Sequence, residues 1–112
     1  MRYGICKLSV VPMRKEMSHD SELVSELLFN DIYEVTEENG DWIRIKTLYD
    51  SYVGYLRTLQ HYEISENELE EYVSREKYIV NEPVCSYNNN VLTFGSKIFE
   101  KHVNAIPLRK VY

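Results

Sequence analysis

Cys85-Ser86 is the first place in this sequence where residue types could do chemistry. A cysteine acts as a nucleophile when a base such as histidine lies within hydrogen-bond reach and draws off its proton. The three histidines, His19, His61 and His102, stand in no motif with it. The pair therefore reads as an unreactive thiol in or beside a strand. No Cys-x-x-Cys or His-x-x-x-His spacing offers a metal its ligands, so neither metal nor cofactor is expected. Glu66, Glu68, Glu70 and Glu71 form a charge run that reads as the solvated face of a helix. The four glycines are scattered and make no phosphate loop. The tyrosines say more. There are ten, with Tyr49, Tyr52 and Tyr55 grouped near Trp42. Aromatic residues with a polar tip can form a recognition surface on a barrel rim or fill a small core, and the residues leave both readings open.

The elements that would position these groups are mostly strands. Asn39-Gly40 is a hairpin signal, because a tight type I′ turn needs positive φ at both central residues and Asn and Gly reach that region at least cost. Ile32, Tyr33 and Val35 suit a strand before the turn. After it, Ile43 and Ile45 alternate with Trp42, Arg44 and Lys46, the period of a half-buried strand. Asp50-Ser51 makes a second turn, and Tyr52 to Leu56 reads as a third strand. Three antiparallel strands with short turns form a meander, the heart of a small barrel.

Around the meander, Tyr3 to Val11 reads as a first strand, with Cys6 as a small hydrophobe within it and Pro12 as its stop. Met13 to Ser21 reads as a long polar loop. In Glu22 to Phe29, Leu23, Val24, Leu27 and Leu28 fall at helical spacing, and pattern alone favours a helix. Leu56 to Tyr62 reads as a 3-10 turn. Ser65-Glu66-Asn67-Glu68 is a capping box that opens a short helix to about Arg75, with Leu69, Tyr72 and Val73 on one face and Arg75 and Lys77 near its end. Lys77 to Val84 and Val91 to Phe99 read as two strands joined through Tyr87-Asn88-Asn89-Asn90, with Pro83 marking an edge strand and Gly95-Ser96 a bend. Ala105 to Tyr112 reads as a tail. The expected organisation is a barrel over 1-64, a short helix over 65-76, and a C-terminal hairpin and tail over 77-112 packed on the barrel.

Composition narrows the partners. The chain has 112 residues, 44% of them hydrophobic, and a formal net charge of -5. It shows no basic stripe, so neither nucleic acid nor a membrane surface is an expected partner. The N-terminus carries no secretory pattern and no apolar run reaches 18 residues, which predicts a cytoplasmic protein. Cys6 and Cys85 are expected to be free thiols.

Four stretches then follow one another in order: Ile5-Cys6-x-Leu8-Ser9-Val10-Val11-Pro12-x-Arg14, Ser21-Glu22-Leu23-Val24-Ser25-x-Leu27-Leu28-Phe29, Trp42-x-x-Ile45 and Asp50-x-Tyr52-x-Gly54-Tyr55. Together they resemble the N-terminal bacterial SH3-like domain of NlpC-type cell-wall peptidases. Among these they resemble the dipeptidyl-peptidase VI-like enzymes, which cut γ-D-glutamyl–diamino-acid bonds in peptidoglycan peptides. The resemblance implies a mainly β fold: an SH3-like barrel with a short helix and a C-terminal hairpin. It makes Glu22 to Phe29 a strand with a bulge, against the helical spacing. Met17 departs from a usual Pro, Asn30 from a frequent Gly and Tyr55 from a usual Trp. The catalytic cysteine of such enzymes lies in Asp-Cys-Ser-Gly, and Val84-Cys85-Ser86-Tyr87 lacks the Asp and the Gly, so this chain is expected to have no peptidase activity of its own.

The implied role is to cap the active site of a peptidase catalytic domain, in cis or in trans, and to help select murein peptides with a free N-terminal L-alanine. Glu16, in the loop after Pro12, and Tyr52, after the Asp50 turn, are expected to converge on the substrate ammonium group, with Asp50 and Tyr55 beside them. Trp42, Asn39 and Gly40 are expected to be structural, Trp42 as an anchor over one end of the barrel. The alternative is a stand-alone SH3-like module that binds a protein or peptide on its aromatic face.

Overall fold

The computed structural model describes residues 2–108. It is mainly β. The strands are β1 (Arg2–Ile5), β2 (Val10–Arg14), β3 (Leu23–Leu28), β4 (Ile32–Asn39), β5 (Trp42–Thr47), β6 (Val53–Arg57), β7 (Glu63–Ile64), β8 (Tyr78–Val80), β9 (Cys85–Tyr87), β10 (Asn90–Leu92), β11 (Lys97–Ile98) and β12 (Ala105–Pro107). The single described helix, α1, spans Glu66–Ser74. Seven strands form one antiparallel sheet in the order β3-β2-β6-β5-β4-β1-β7, the sheet of the small SH3-like barrel expected from the meander, with β3 and β7 at its edges.

Period-2 alternation sets the inner face. Ile43 and Ile45 of β5 and Leu56 of β6 point inward and are buried. They meet Val11, Met13, Leu27 and Tyr33 in one apolar cluster. Trp42, Arg44 and Lys46, with Tyr55 and Arg57 across the ladder, take the outer face.

β3 is a strand, as the resemblance implied and the helical spacing did not. The β2–β3 register shifts between Met13 and Arg14, which face Ser25 and Leu23, leaving Val24 as the extra residue of a bulge. Leu23 and Val24 are exposed, so their apolar side chains mimic helical periodicity without lying on a buried stripe.

Several expectations are corrected. Tyr3 to Val11 is two strands, because β1 pairs with β4 and β7 while β2 pairs with β3 and β6. The chain changes neighbours between Cys6 and Ser9, where Cys6 N–H donates to the Asp31 carbonyl (2.8 Å) and Asn30 N–H to the Cys6 carbonyl (2.8 Å). Pro12 lies inside β2 rather than ending it. β6 meets β2 only at Arg14, so Pro12 sits on an open margin where its missing N–H costs little. The hairpin turn is centred on Gly40-Asp41, since Asn39 already pairs with Trp42. Of the two central residues Gly40 has φ 62 and Asp41 has no positive φ, the pattern of a type II′ turn rather than I′. The two-positive pattern occurs instead at Asn88-Asn89 (φ 46 and 65), between paired Tyr87 and Asn90.

The 3-10 turn spans Thr58–Gln60. Helix α1 opens on the capping box, with Glu68 N–H donating to Ser65 Oγ (3.1 Å) and Ser65 N–H to Glu68 Oε1 (3.0 Å). Its Leu69, Tyr72 and Val73 pack toward Ile5, Ile32 and Ile64. Lys77 Nζ donates to the Val73 and Arg75 carbonyls (2.9 Å each) and closes the helix end.

After α1 the strands are shorter than expected and pair differently. β8 lies between β11 and β12. Pro83 falls in the bend between β8 and β9, outside any strand. β9 and β10 form a separate tight hairpin. The expected tail contains β12, while 109–112 lie outside the described residues. Tyr78, Val80, Cys85, Leu92 and Ile98 bury together around Phe29, which reaches out of the β3–β4 turn to join them. Asn30 has φ 66, which explains why an Asn can stand where the resembled family often has Gly.

Candidate functional site

The turn after β5 is held by one side chain. Thr47 Oγ1 donates to Asp50 Oδ1 (2.5 Å) and accepts from Tyr52 N–H (2.8 Å). Thr47 N–H donates to the Tyr52 carbonyl (2.9 Å), and Ser51, at φ 60, donates to the Thr47 carbonyl (3.0 Å). Asp50 is thus engaged in holding the turn. The clasp presents the Tyr52 side chain to solvent, at 47% exposure. Tyr55 is half-buried on the outer face, directly between Arg14 of β2 and Arg44 of β5.

The long loop after β2 takes another course. Glu16 is exposed, and its backbone is tied within the loop: its N–H donates to Ser21 Oγ (2.8 Å) and its carbonyl accepts from Ser18 N–H (2.8 Å). Farther along, Asn39 Nδ2 donates to Met17 Sδ (3.4 Å), and the His19 ring lies 5.4 Å from Trp42 at 60°. His19 Nε2 accepts from Arg57 Nη1 (2.6 Å), while the Arg57 guanidinium sits 5.4 Å from the Trp42 ring. Trp42 is half-buried in a groove with Pro12, Arg14 and Gln60. These contacts draw the loop toward the Trp42–Arg57 end of the β5–β6 ladder; Tyr52 precedes the Lys46–Val53 end. Glu16 and Tyr52 make no recorded contact with each other.

Residues 13–60 match the family model described as the bacterial dipeptidyl-peptidase Sh3 domain. The barrel is SH3-like, and this stretch of it is similar to the SH3 domain of that family. No curated protein matches the chain.

One cleft flanks this SH3-like barrel where it meets the C-terminal strands. It measures about 370 Å³, and its lining includes Glu26, Asp31, Tyr49, Asp50 and Lys97. Lys97 Nζ pairs with Asp31 Oδ1, both largely buried, and lies 4.6 Å from the Tyr49 ring. Burial pushes the Asp31 carboxyl upward, with Lys97 opposing the shift. With its ammonium group already paired, the cleft keeps an acidic balance, and Asp50 is the one sequence-nominated site residue that lines it.

The structure does bring Cys85 near a histidine: Sγ lies 3.9 Å from His102 Nδ1. That is a long contact, near the outer limit for a sulfur hydrogen bond. The same nitrogen accepts from Asn104 N–H (3.1 Å), and Cys85 is 2% exposed. The pair is packing. Burial pushes the Cys6 thiol up to about 12, so it is inert as a nucleophile. Both cysteines are free. Among the described residues no group of His, Cys, Asp and Glu could hold a metal ion, and no helix is long and apolar enough to cross a membrane.

Sequence reasoning missed His19 and Arg57 over Trp42, and the Asp31–Lys97 pair. Arg57 sits two places after Tyr55 on the outer face of β6, and that alternation was a usable signal. Nothing local marks a partner 66 residues away.

Proposed function

We propose that this chain is the non-catalytic SH3 module of a γ-D-glutamyl–diamino acid peptidase acting on murein peptides. The module caps the active site of a catalytic domain, in cis or in trans, and favours substrates with a free N-terminal L-alanine. The observation that carries this reading is the match of residues 13–60 to the dipeptidyl-peptidase SH3 family. Two features support it. Tyr52 is held outward by the Thr47 clasp, and Glu16 is an exposed carboxylate. Each can accept from an ammonium group, and charge-assisted bonds of this kind are stronger than neutral ones. Tyr55 contributes ring surface between them, and Asp50 keeps the Tyr52 turn in shape.

The test compares Glu16→Gln with the parent in the assembled peptidase. Cleavage of L-Ala-γ-D-Glu-diaminopimelate should fall much more than cleavage of its N-acetylated form. Equal loss on both substrates, or none on either, would leave the domain as a passive support. A second reading, a peptide-binding module without a peptidase, is favoured by the open His19–Trp42–Arg57 groove. It predicts peptide binding by the isolated chain that Trp42→Ala abolishes and Glu16→Gln leaves unchanged.

A further inference from the structure

A second cavity, of about 220 Å³, lies away from the Tyr52 turn, where five segments converge. Lys7 enters from the β1–β2 crossing, Asn30 from the β3–β4 turn, Tyr72 and Arg75 from the end of α1, Asn88 from the β9–β10 turn, and Phe99 and Glu100 from beyond β11. Tyr72 and Phe99 stack at 5.3 Å and 25°. The cations rest on these rings. Lys7 Nζ is 5.6 Å from the centroid of Tyr72 and 5.8 Å from that of Phe29, and the Arg75 guanidinium is 4.5 Å from that of Phe99.

Neither cation forms an ion pair among the described residues, although Glu68 acts on Lys7 from a distance. The ion pairs among the described residues are Arg2–Glu38, Arg2–Glu63, His61–Glu63 and Lys97–Asp31. Lys7 has one long hydrogen bond, to Asn30 Oδ1 at 3.4 Å, although an ammonium group has three donors. Arg75 is not needed at the helix end, because Lys77 already binds the carbonyls there. Two unpaired cations fixed on aromatic faces around one cavity are unusual in a chain of net charge -5. Burial also pulls the Lys7 ammonium below its ordinary value, the cost of a charge that an incoming anion would relieve.

We infer that this junction pocket binds a small monocarboxylate, held by Lys7 and Arg75, with the Asn30 and Asn88 side chains at its edge. The size is below the roughly 300–1,000 Å³ of pockets for drug-sized ligands, so the ligand is small. Glu68, which acts on Lys7, and Glu100 in the lining already offset the two cations, so a second negative charge is disfavoured and a monocarboxylate suits the pocket better than a phosphate dianion. The Arg75 fork suits a planar carboxylate. This site uses none of Glu16, Tyr52, Tyr55 or Asp50, so it stands or falls separately from the peptidase reading.

The probe is benzoate, with benzamide as its neutral counterpart and phenyl phosphate as the dianion. Titration into the isotope-labelled chain should move the amide signals of Lys7, Asn30, Arg75 and Asn88 along one saturable curve. Benzamide should bind at least tenfold more weakly, and phenyl phosphate more weakly than benzoate. Lys7→Gln and Arg75→Gln should each weaken benzoate about tenfold, the low end for one charge-assisted hydrogen bond. Both side chains are exposed at the surface, and unchanged amide spectra away from the pocket will verify the fold. Arg75→Lys, which keeps the charge and loses the fork, should fall between parent and Arg75→Gln. Equal binding of benzamide, tighter binding of phenyl phosphate, indifference to both Gln variants, or no saturable shift would each overturn the assignment.

Discussion

Replacing Lys97 by methionine should destabilise the protein most at neutral pH and least in mild acid. Lys97 is 4% exposed, and its ammonium group is the ion-pair partner of Asp31, whose side chain is 14% exposed. Removing one partner of a buried pair costs about 3–5 kcal/mol, mostly because the other charge is left uncompensated. Methionine keeps much of the volume, so the cavity contribution is small. Asp31 would retain the Leu28 N–H donor (2.8 Å) but lose the influence that opposes its upward shift. A carboxyl raised above its unfolded value of about 3.9 contributes stability that is full below that value and is lost as pH rises through the folded value. The variant should therefore recover stability relative to the parent as pH falls, read in assays at pH 7.5 and pH 5. Urea unfolding followed by Trp42 fluorescence reads the effect. With a slope of roughly 1–3 kcal/mol/M, the midpoint should fall by about 2 M at neutral pH. Adding Asp31→Asn to the methionine variant should restore most of the loss and remove its pH dependence. A loss below about 1 kcal/mol at pH 7.5, or the same loss at both pH values, would refute the argument.

Gly4→Ala should lower the thermal midpoint, because a Cβ there would lie 2.5 Å from ring atoms of Tyr33, which is fully buried and tied to His61 Nδ1 (2.8 Å); overpacking of this kind costs about 1–3 kcal/mol. Trp42→Ala should cost about 1–3 kcal/mol, less than the roughly 3–5 of a core tryptophan, because the ring is half-buried under His19 and Arg57; chemical denaturation monitored by circular dichroism checks it. Ser65→Ala should cost about 1 kcal/mol by removing the cap of α1, seen as a lower urea midpoint. Incubation of the chain with L-Ala-γ-D-Glu-diaminopimelate should release no dipeptide, and cleavage that Cys85→Ala abolishes would contradict the packing role of the Cys85–His102 contact.

The parts of this fold legible in the sequence are those where local rules and burial agree. Ile43 and Ile45 alternate with outward residues because their strand has one wet face, and Ser65 with Glu68 encodes a helix start within four residues. The turn at Gly40 was placed one residue early because Asn and Gly both tolerate positive φ, so the dipeptide does not say which residue pairs. Glu22 to Phe29 misled periodicity because a bulge shifts the facing of β3 midway, and there the family likeness carried the reading. Strands of two or three residues beyond α1 are too short for any period to show. The site was less legible than the fold. Tyr52 and Asp50 announce a turn, yet the contact that fixes them runs through Thr47, and the groove over Trp42 depends on a loop folding back from His19. Cross-chain pairs such as Asp31–Lys97 are set by topology alone.

Phe29 has a consequence for where this protein can be cut. Its backbone belongs to the SH3-like barrel, but its side chain lies among Tyr78, Val80, Cys85, Leu92 and Ile98. At the opposite margin, β4 depends on β1, which supplies Ile5 and lies before residue 13. The segment that family comparison marks is therefore smaller than the segment that can fold. Excised at 13 and 60, it would carry a naked strand edge on one side and a stranded phenyl ring on the other, both invitations to aggregation. Grafts, chimaeras and truncations should keep β1 and the strands through β11, so that the barrel and its C-terminal sheet melt together.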